Sequence, residues 1–505
     1  MKSFKRAIVL AIALAVTVPW VVTAGGGQEG GTTGSEEPVP ITFLTSGDSG
    51  APWIAGAQDD RIFQEINSIL NIELKVEAYR QGQWEKVNVA IASGDMPDLV
   101  VNNFPSAAAY QWIRDGVLAP LNDYFDYMPA VKQRCEDESW SAFDGKYYGF
   151  LHIAQKVVSN YCMAMRGDWL EAVGMEWPET LDDFWDVSEA FVKNDPDGNG
   201  KDDTYAFTAR KPGNAAFRFL FAAYGMPHLD YNLGEDGKVI AWFEHPAWME
   251  GMKYIMAMWE AGFIDPEFML NDRQMLENKF YNDTFGIGYF YLFRHVNRNR
   301  VNLQKVNPDG TLVMGDPPAG PEGKRGGTGR AKGGLYTGIT SGAKNPIKAA
   351  QFLQFIVDEG RDLLTLGIEG IHYTGSGDNI KYIEEERAKD NFSPGGWAHP
   401  LAWGNVWWPL SAMYLPLTEP NRDDALLSVE YAARNLLDNL IDFTPDAQVE
   451  LGAQVGDFYN EYFLNIVMGR IGLDAGYKEL VEKWYSNGGT EIIAEAQKLY
   501  DESKN

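Results

Sequence analysis

From Ile41 onward the apolar positions alternate in a regular way. "ITFLTS" reads as a buried strand, "DDRIFQEINSIL" as an amphipathic helix, "IELKVEAY" as a strand with period-two alternation, "QWEKVNVAIAS" as a second helix and "PDLVVN" as a third strand. Strands separated by helices predict parallel pairing with right-handed crossovers, hence an α/β lobe. In open sheets of this kind ligands sit beyond the carboxyl ends of the strands. That marks Ser46, Gly47 and Asp48 after the first strand, and Asn102 and Asn103 after the third, either as cleft residues or as caps of the next element.

Beyond Leu151 the pattern changes to long helices, "TLDDFWDVSEAFVKN" and "PAWMEGMKYIMAMWEAG", broken by aromatic strands such as "FGIGYFYLF". The Gly-rich stretch "GPEGKRGGTGRAKGG" follows. Its Lys324 precedes Arg325 rather than Ser or Thr, so it fails the phosphate-loop pattern and reads as a surface loop. "LYTGITSGA" then reads as a strand leading into "NPIKAAQFLQFIVDEGRDLLTLG", and the α/β character resumes. Two lobes, with a chain that crosses between them more than once, explain the interruption.

Composition refines this picture. A chain of 505 residues with 45% hydrophobic content can fill two or three cores. Lys2, Lys5 and Arg6 precede the apolar run "AIVLAIALAVTVPWVV" and the small residues "VTA", the layout of an export signal over residues 1–24. Residues 25–38 have the Gly, Ser and Glu content of a flexible tether. No cysteine stands near the cleavage point to accept a lipid, so the protein is expected to be exported, periplasmic or associated with the cell surface, with anchoring open. The net charge of −28 excludes nucleic acid and anionic lipid surfaces as natural partners and favours a small ligand. An acidic ligand would need a local basic wall, for which Arg166, Arg294 and Arg298 are candidates. Cys135 and Cys162 are the only cysteines, and an exported setting allows either a disulfide or two buried thiols.

Two segments carry candidate chemistry. In "NDPDGNGKDDTYAF", Asp195, Asp197, Asn199, the Lys201 carbonyl and Asp203 fall on the first, third, fifth, seventh and ninth ligand slots of an EF-hand loop, with Gly200 at the sharp turn. Ala206 replaces the bidentate Glu and there is no partner hand, so a structural Ca2+ is expected rather than a sensor. In "GGWAHPLAWGNVWWP", Trp397, Trp403, Trp407 and Trp408 crowd a loop broken by prolines and glycines; their indole faces suit sugar rings, and equally suit a core. The six histidines show no zinc spacing, no GxSxG elbow is present, and carboxylate pairs such as Asp182 with Asp183 fit solvated helix faces, so no catalytic residue is assigned.

Taken in order, "IASGDMPDLVV", "DGVLAPLNDYF", "FDGKYYGF", "MRGDWLEAVGMEWPETLDDF", the "DPDGNGKDDTYAF" loop, "WEAGFIDPE" and "NPIKAAQFLQFIVDEGRDLLTLGIEGIHY" resemble the extracellular solute-binding proteins of bacterial ABC importers, in their oligosaccharide-binding group. The resemblance implies a two-lobed α/β fold with a multi-strand hinge. Residues 39–148 and 333–396 would form the first lobe, and 149–332 with 397–505 the second. It implies a monomer that closes on a sugar and delivers it to the importer's permease. Calcium would be held at Asp195, Asp197, Asn199, Lys201 and Asp203, with Thr204 where the pattern is often acidic. Ligand contacts are expected from the four tryptophans and from Asp48, Asn102 and Arg166, with Tyr291 and Tyr336 completing the set. The competing reading is an exported calcium-stabilised glycoside hydrolase, which turnover of an oligosaccharide would reveal.

Overall fold

The structure is a computed structural model that describes residues 37–46, 60–79, 83–104, 107–151, 161–210, 214–291, 298–327, 334–392, 399, 401, 421–441 and 444–504. The expected export signal and most of the tether lie outside the described residues.

In chain order the first region contains β1 (Val39–Ser46), α1 (Arg61–Leu70), β2 (Ile72–Tyr79), α2 (Gln83–Ser93), β3 (Leu99–Phe104), α3 (Ala107–Arg114), α4 (Pro129–Asp137) and β4 (Phe150–Leu151). The second contains β5 (Tyr161–Arg166), α5 (Gly167–Val173), α6 (Leu181–Lys193), β6 (Tyr205–Phe207), α7 (Arg218–Ala223), β7 (Tyr231–Leu233), β8 (Val239–Ala241), α8 (Pro246–Glu260), β9 (Phe285–Tyr291) and β10 (Leu312–Gly315). The chain then returns with β11 (Gly334–Ile339) and α9 (Pro346–Val357), and ends in α10 (Asn421–Arg434), α11 (Asp446–Val467), α12 (Leu473–Trp484) and α13 (Thr490–Glu502).

β1 pairs in parallel with both β2 and β3, as the alternation predicts, while β11 and β4 complete the order β2-β1-β3-β11-β4 in antiparallel fashion. Successive residues of these strands serve opposite faces. Ile41 and Phe43 enter one core with Leu99, Val101 and Phe352, while Leu44 and Val100 enter another with Trp112 and Tyr336. The second sheet, β10-β5-β9-β6, is mostly antiparallel and packs Met163 and Met165 against an aromatic core that includes Trp169, Phe207, Phe219, Trp248 and Phe463. Each sheet thus has its own hydrophobic filling, the arrangement of a two-lobed α/β fold.

Local signals position the elements. Thr180 and Asp183 form a reciprocal capping box at the start of α6. The long run after Pro346 breaks at Val357 because the Gly360 amide turns back to the Phe355 carbonyl at 2.6 Å, where a Cβ would stand 2.4 Å from the Phe355 ring. Leu401 packs in the first core, and the buried His399 Nε2–H donates to Asp60 at 2.8 Å. Cys135 and Cys162 are both free and buried, and burial pushes each thiol up to about 12, which answers the question of pairing. Among the described residues no helix is long and apolar enough to cross a membrane.

Candidate functional site

The acidic loop leaves the C-terminal end of α6. Asp195 takes up the left-handed conformation at φ 46°, and Gly200, at φ 78°, supplies the sharp turn. The Asn199 and Gly200 amides donate to the two oxygens of Asp195 at 3.0 and 2.9 Å. The Asn199 side-chain amide donates to Asp197 at 2.7 Å and to Asp203 at 3.0 Å, and its oxygen accepts from the Lys201 amide at 2.8 Å. Three carboxylates therefore converge on one neutral residue, Asn199, whose side-chain amide serves Asp197 and Asp203 and whose backbone amide serves Asp195. Burial, with the neighbouring carboxylates of Asp195 and Asp203, raises the Asp197 pKa above its ordinary value.

Such a donor set suits a hard cation that accepts many oxygens. Asp195, Asp197, Asn199, Asp203 and the Lys201 carbonyl would hold it. In the arrangement seen, no group of three His, Cys, Asp or Glu side chains among the described residues is gathered as a chelate, because the Asn199 amide stands between the carboxylates. Thr204 faces the other way. It is buried, and its hydroxyl donates to the Phe191 carbonyl at 2.7 Å, tying the loop to the end of α6.

A second feature is a cavity of about 320 Å³ in the second lobe, between α7, the β7–β8 hairpin and α11. Tyr231, Trp242, Phe243, Tyr459 and Trp484 form its aromatic lining, and Arg218, Asp230, Gln448 and Asn460 supply its polar groups. The rings brace one another: Trp242 and Phe243 lie 4.9 and 5.5 Å from Tyr459, whose hydroxyl accepts from the Trp248 indole at 3.0 Å. The Tyr231 hydroxyl donates to Gln448 at 3.3 Å, and Asp230 accepts the Leu440 amide at 3.3 Å.

Two lining groups lack such partners among the described residues: the Nε of Arg218 and the Oδ1 of Asn460. Burial lowers the Arg218 pKa, with Tyr459, Asp230 and Tyr161 opposing through their charge. The first turns of α11 that border this cavity also receive Arg114, from the end of α3 in the first lobe, which reaches Glu450 at 3.3 Å and Asp446 at 3.8 Å. These contacts lie on the face of α11 turned away from the cavity, which that helix lines with Gln448, Gly452, Val455, Gly456 and Tyr459.

The residues nominated from sequence separate into three groups. Asp48, Trp397, Trp403, Trp407 and Trp408 lie outside the described residues. Asn102 and Tyr291 stand on strands, paired with Tyr336 and Tyr161 respectively, with side chains outside the description. The others turn inward. Tyr336 is a core residue whose hydroxyl accepts the Tyr148 amide at 3.1 Å. Arg166 is fully buried, stacks over Trp169 at 4.9 Å and holds both Asp168 and Asp283, so it fastens β5 to its neighbours instead of facing an open cleft. Arg298 is likewise paired, with Glu277 at 2.6 Å. The polar residues that do line a cavity, Arg218 and Asn460, were missed. A lone arginine inside the apolar run "AFRFLFAAYG" was the available signal for the first.

Comparison with known proteins agrees with this architecture. The polygalacturonan/rhamnogalacturonan-binding protein YtcQ of Bacillus subtilis (strain 168) is 26% identical over 474 residues, covering 88% of this chain and 89% of that protein. Among solved structures, the Streptococcus pneumoniae ABC-transporter substrate-binding protein FusA, as an EF-hand mutant in complex with fructo-nystose, superposes with a TM-score of 0.69 at 23% identity. That match covers 92% of this chain and 99% of that one. The alginate-binding protein AlgQ2 without calcium ion superposes with a TM-score of 0.71 at 20% identity, with the same coverage. Residues 45–360 match the family model of the bacterial extracellular solute-binding proteins, and the chain belongs to that family.

Proposed function

We propose that this solute-binding protein captures a carbohydrate, in the form of an oligosaccharide, by closure of its two lobes and hands it to the permease of an ABC importer outside the cytoplasmic membrane. The observation that carries this reading is the aromatic, polar-studded cavity of the second lobe. Aromatic faces attract the C–H faces of sugar rings, while fixed polar groups meet hydroxyls and reject analogues that lack them. A ligand touching both lobes binds the closed state better and draws the hinge equilibrium toward it.

The ligands named for YtcQ and FusA, polygalacturonan/rhamnogalacturonan and fructo-nystose, support a sugar over an amino acid or a peptide. Trp397, Trp403, Trp407 and Trp408 are assigned as a ring platform, and Asp48, Asn102 and Tyr291 as further contacts. Arg166 and Tyr336 are withdrawn from that set because both are enclosed. Residues 39–148 and 333–396 are assigned to the first lobe, and Leu401, packed in the same core, lies just beyond that bound. Calcium is assigned to the loop at Asp195, Asp197, Asn199, Lys201 and Asp203. When bound it would offset the convergent charge and fasten the loop to α6. The EF-hand named for FusA and the calcium named for AlgQ2 agree with that assignment.

The test is a thermal-shift screen of mono- and oligosaccharides, followed by calorimetry and product analysis. Stabilisation by a sugar recovered intact, with a smaller radius of gyration in solution scattering, is the expected result. Cleavage of the sugar would replace this reading with an enzyme.

A further inference from the structure

We propose that the second-lobe cavity is selective for a sugar unit bearing a carboxylate, with Arg218 as the residue that sets the selectivity. This rests on the capture function proposed above and specifies its ligand. The two lining groups without partners have opposite hydrogen-bonding sense: the Arg218 Nε can only donate, and the Asn460 Oδ1 can only accept. A ligand that satisfies both must carry an acceptor and a donor on one small frame. A pyranose with a carboxylate and adjacent hydroxyls is such a frame, and the braced rings of Trp242 and Tyr459 offer it an apolar wall.

The charge argument distinguishes an acid from a neutral sugar. Arg218 is half-buried at the cavity wall, and its guanidinium has no hydrogen-bonded counter-charge among the described residues; a carboxylate can meet it through the planar fork, where an ester offers only neutral oxygens. The other charged liner, Asp230, already accepts the Leu440 amide and acts on Arg218 through space. Of the other basic candidates, Arg294 lies outside the described residues and two are engaged elsewhere. Arg166 holds Asp168 and Asp283, and Arg298 holds Glu277. Against a net charge of −28, Arg218 gives the protein a local site for an anion that its overall field would repel. The cavity lies at the small end of the roughly 300–1,000 Å³ usual for ligand sites, which suits the terminal unit of an oligosaccharide.

The experiment titrates the full mature chain by calorimetry with trigalacturonate, with its methyl ester and with a neutral fructo-oligosaccharide. The wild type is expected to bind the acid roughly ten- to a hundred-fold more tightly than the ester, the scale of one charge-assisted hydrogen bond. Arg218→Gln should abolish that preference, weakening the acid far more than the ester, and Arg218→Lys, which keeps the charge without the fork, should retain part of it. Melting curves of both variants check that they fold. Should Arg218→Gln not fold, the proposal is decided by the ratio of acid to ester affinity in Arg218→Lys. Equal affinity for acid and ester, or a preference that survives Arg218→Gln, overturns the acid selectivity. Tight binding of the neutral sugar alone overturns it while leaving capture intact, and no binding of any of the three, with a wider panel also negative, overturns both.

Discussion

Two acidic clusters, one in each lobe, show what the same side chain does in different surroundings. In the first lobe the buried carboxylate of Asp98 accepts the Thr42 amide and hydroxyl, both at 2.8 Å, and the Lys344 and Asn345 amides at 2.8 and 3.0 Å. Four donors from two distant segments surround it and lock β1 to the turn that starts α9. In the second lobe Asp197 and Asp203 share the Asn199 side-chain amide, and Asp195 accepts only the Asn199 and Gly200 backbone amides of the same short loop. Asp98 is completed by the protein. The loop still favours positive charge, and the contrast shows that an acidic residue signals a cation only where the fold withholds donors.

The largest expected effect breaks the completed cluster. Asp98→Ala leaves the Thr42, Lys344 and Asn345 amides, in part-buried bonds, without their acceptor and should cost about 3 kcal/mol in denaturant unfolding. The same change at Asp195, measured in chelator, should cost far less. Next comes calcium itself. At a hundred-fold excess over its Kd, a bound ion stabilises by about 2.7 kcal/mol, so chelation should lower the Tm of the wild type and leave an Asp195→Ala/Asp197→Ala variant unmoved. Unchanged Tm and ligand affinity after chelation would sink the cation assignment.

A smaller effect sharpens the description of the first lobe as self-complete. His372 accepts the Ile368 amide at Nδ1 and therefore donates from Nε2 to Asp390 at 2.7 Å as a neutral ring. Burial lowers its pKa below the ordinary 6.5, although Asp390 opposes the shift. The unfolded state therefore takes up a proton first, and this contribution is complete above about pH 6.5 and lost progressively as the pH falls through the depressed folded value. The Tm difference between pH 7.5 and 5.5 should shrink in His372→Asn. The smallest effect is at the lobe junction, where Arg114 and Glu450 are both substantially exposed. Arg114→Ala should change stability by no more than about 1 kcal/mol and ligand affinity by a few-fold at most, with the difference fading at high salt.

Much of the scaffold was legible in the sequence because its signals are local. The alternation in "ITFLTS" and "IELKVEAY" is carried within a few neighbouring residues, and both strands appear as expected. The binding residues were far less legible. Arg166 and Arg218 look alike in sequence, each an arginine next to aromatic and apolar residues. One is enclosed between Asp168 and Asp283, and the other borders a cavity beneath α11. His372 and His399 read as scattered histidines, yet each donates to a buried carboxylate, His399 to Asp60 across 339 positions of chain.

The sequence by itself determined the elements, their order, the acidic loop and, through an ordered set of motifs, the family. Only the tertiary structure decided which polar groups the fold completes and which it leaves facing a cavity. Hydrophobic periodicity is set by neighbours three or four positions away, whereas a buried charge is satisfied or left wanting by residues that the chain brings back from hundreds of positions away.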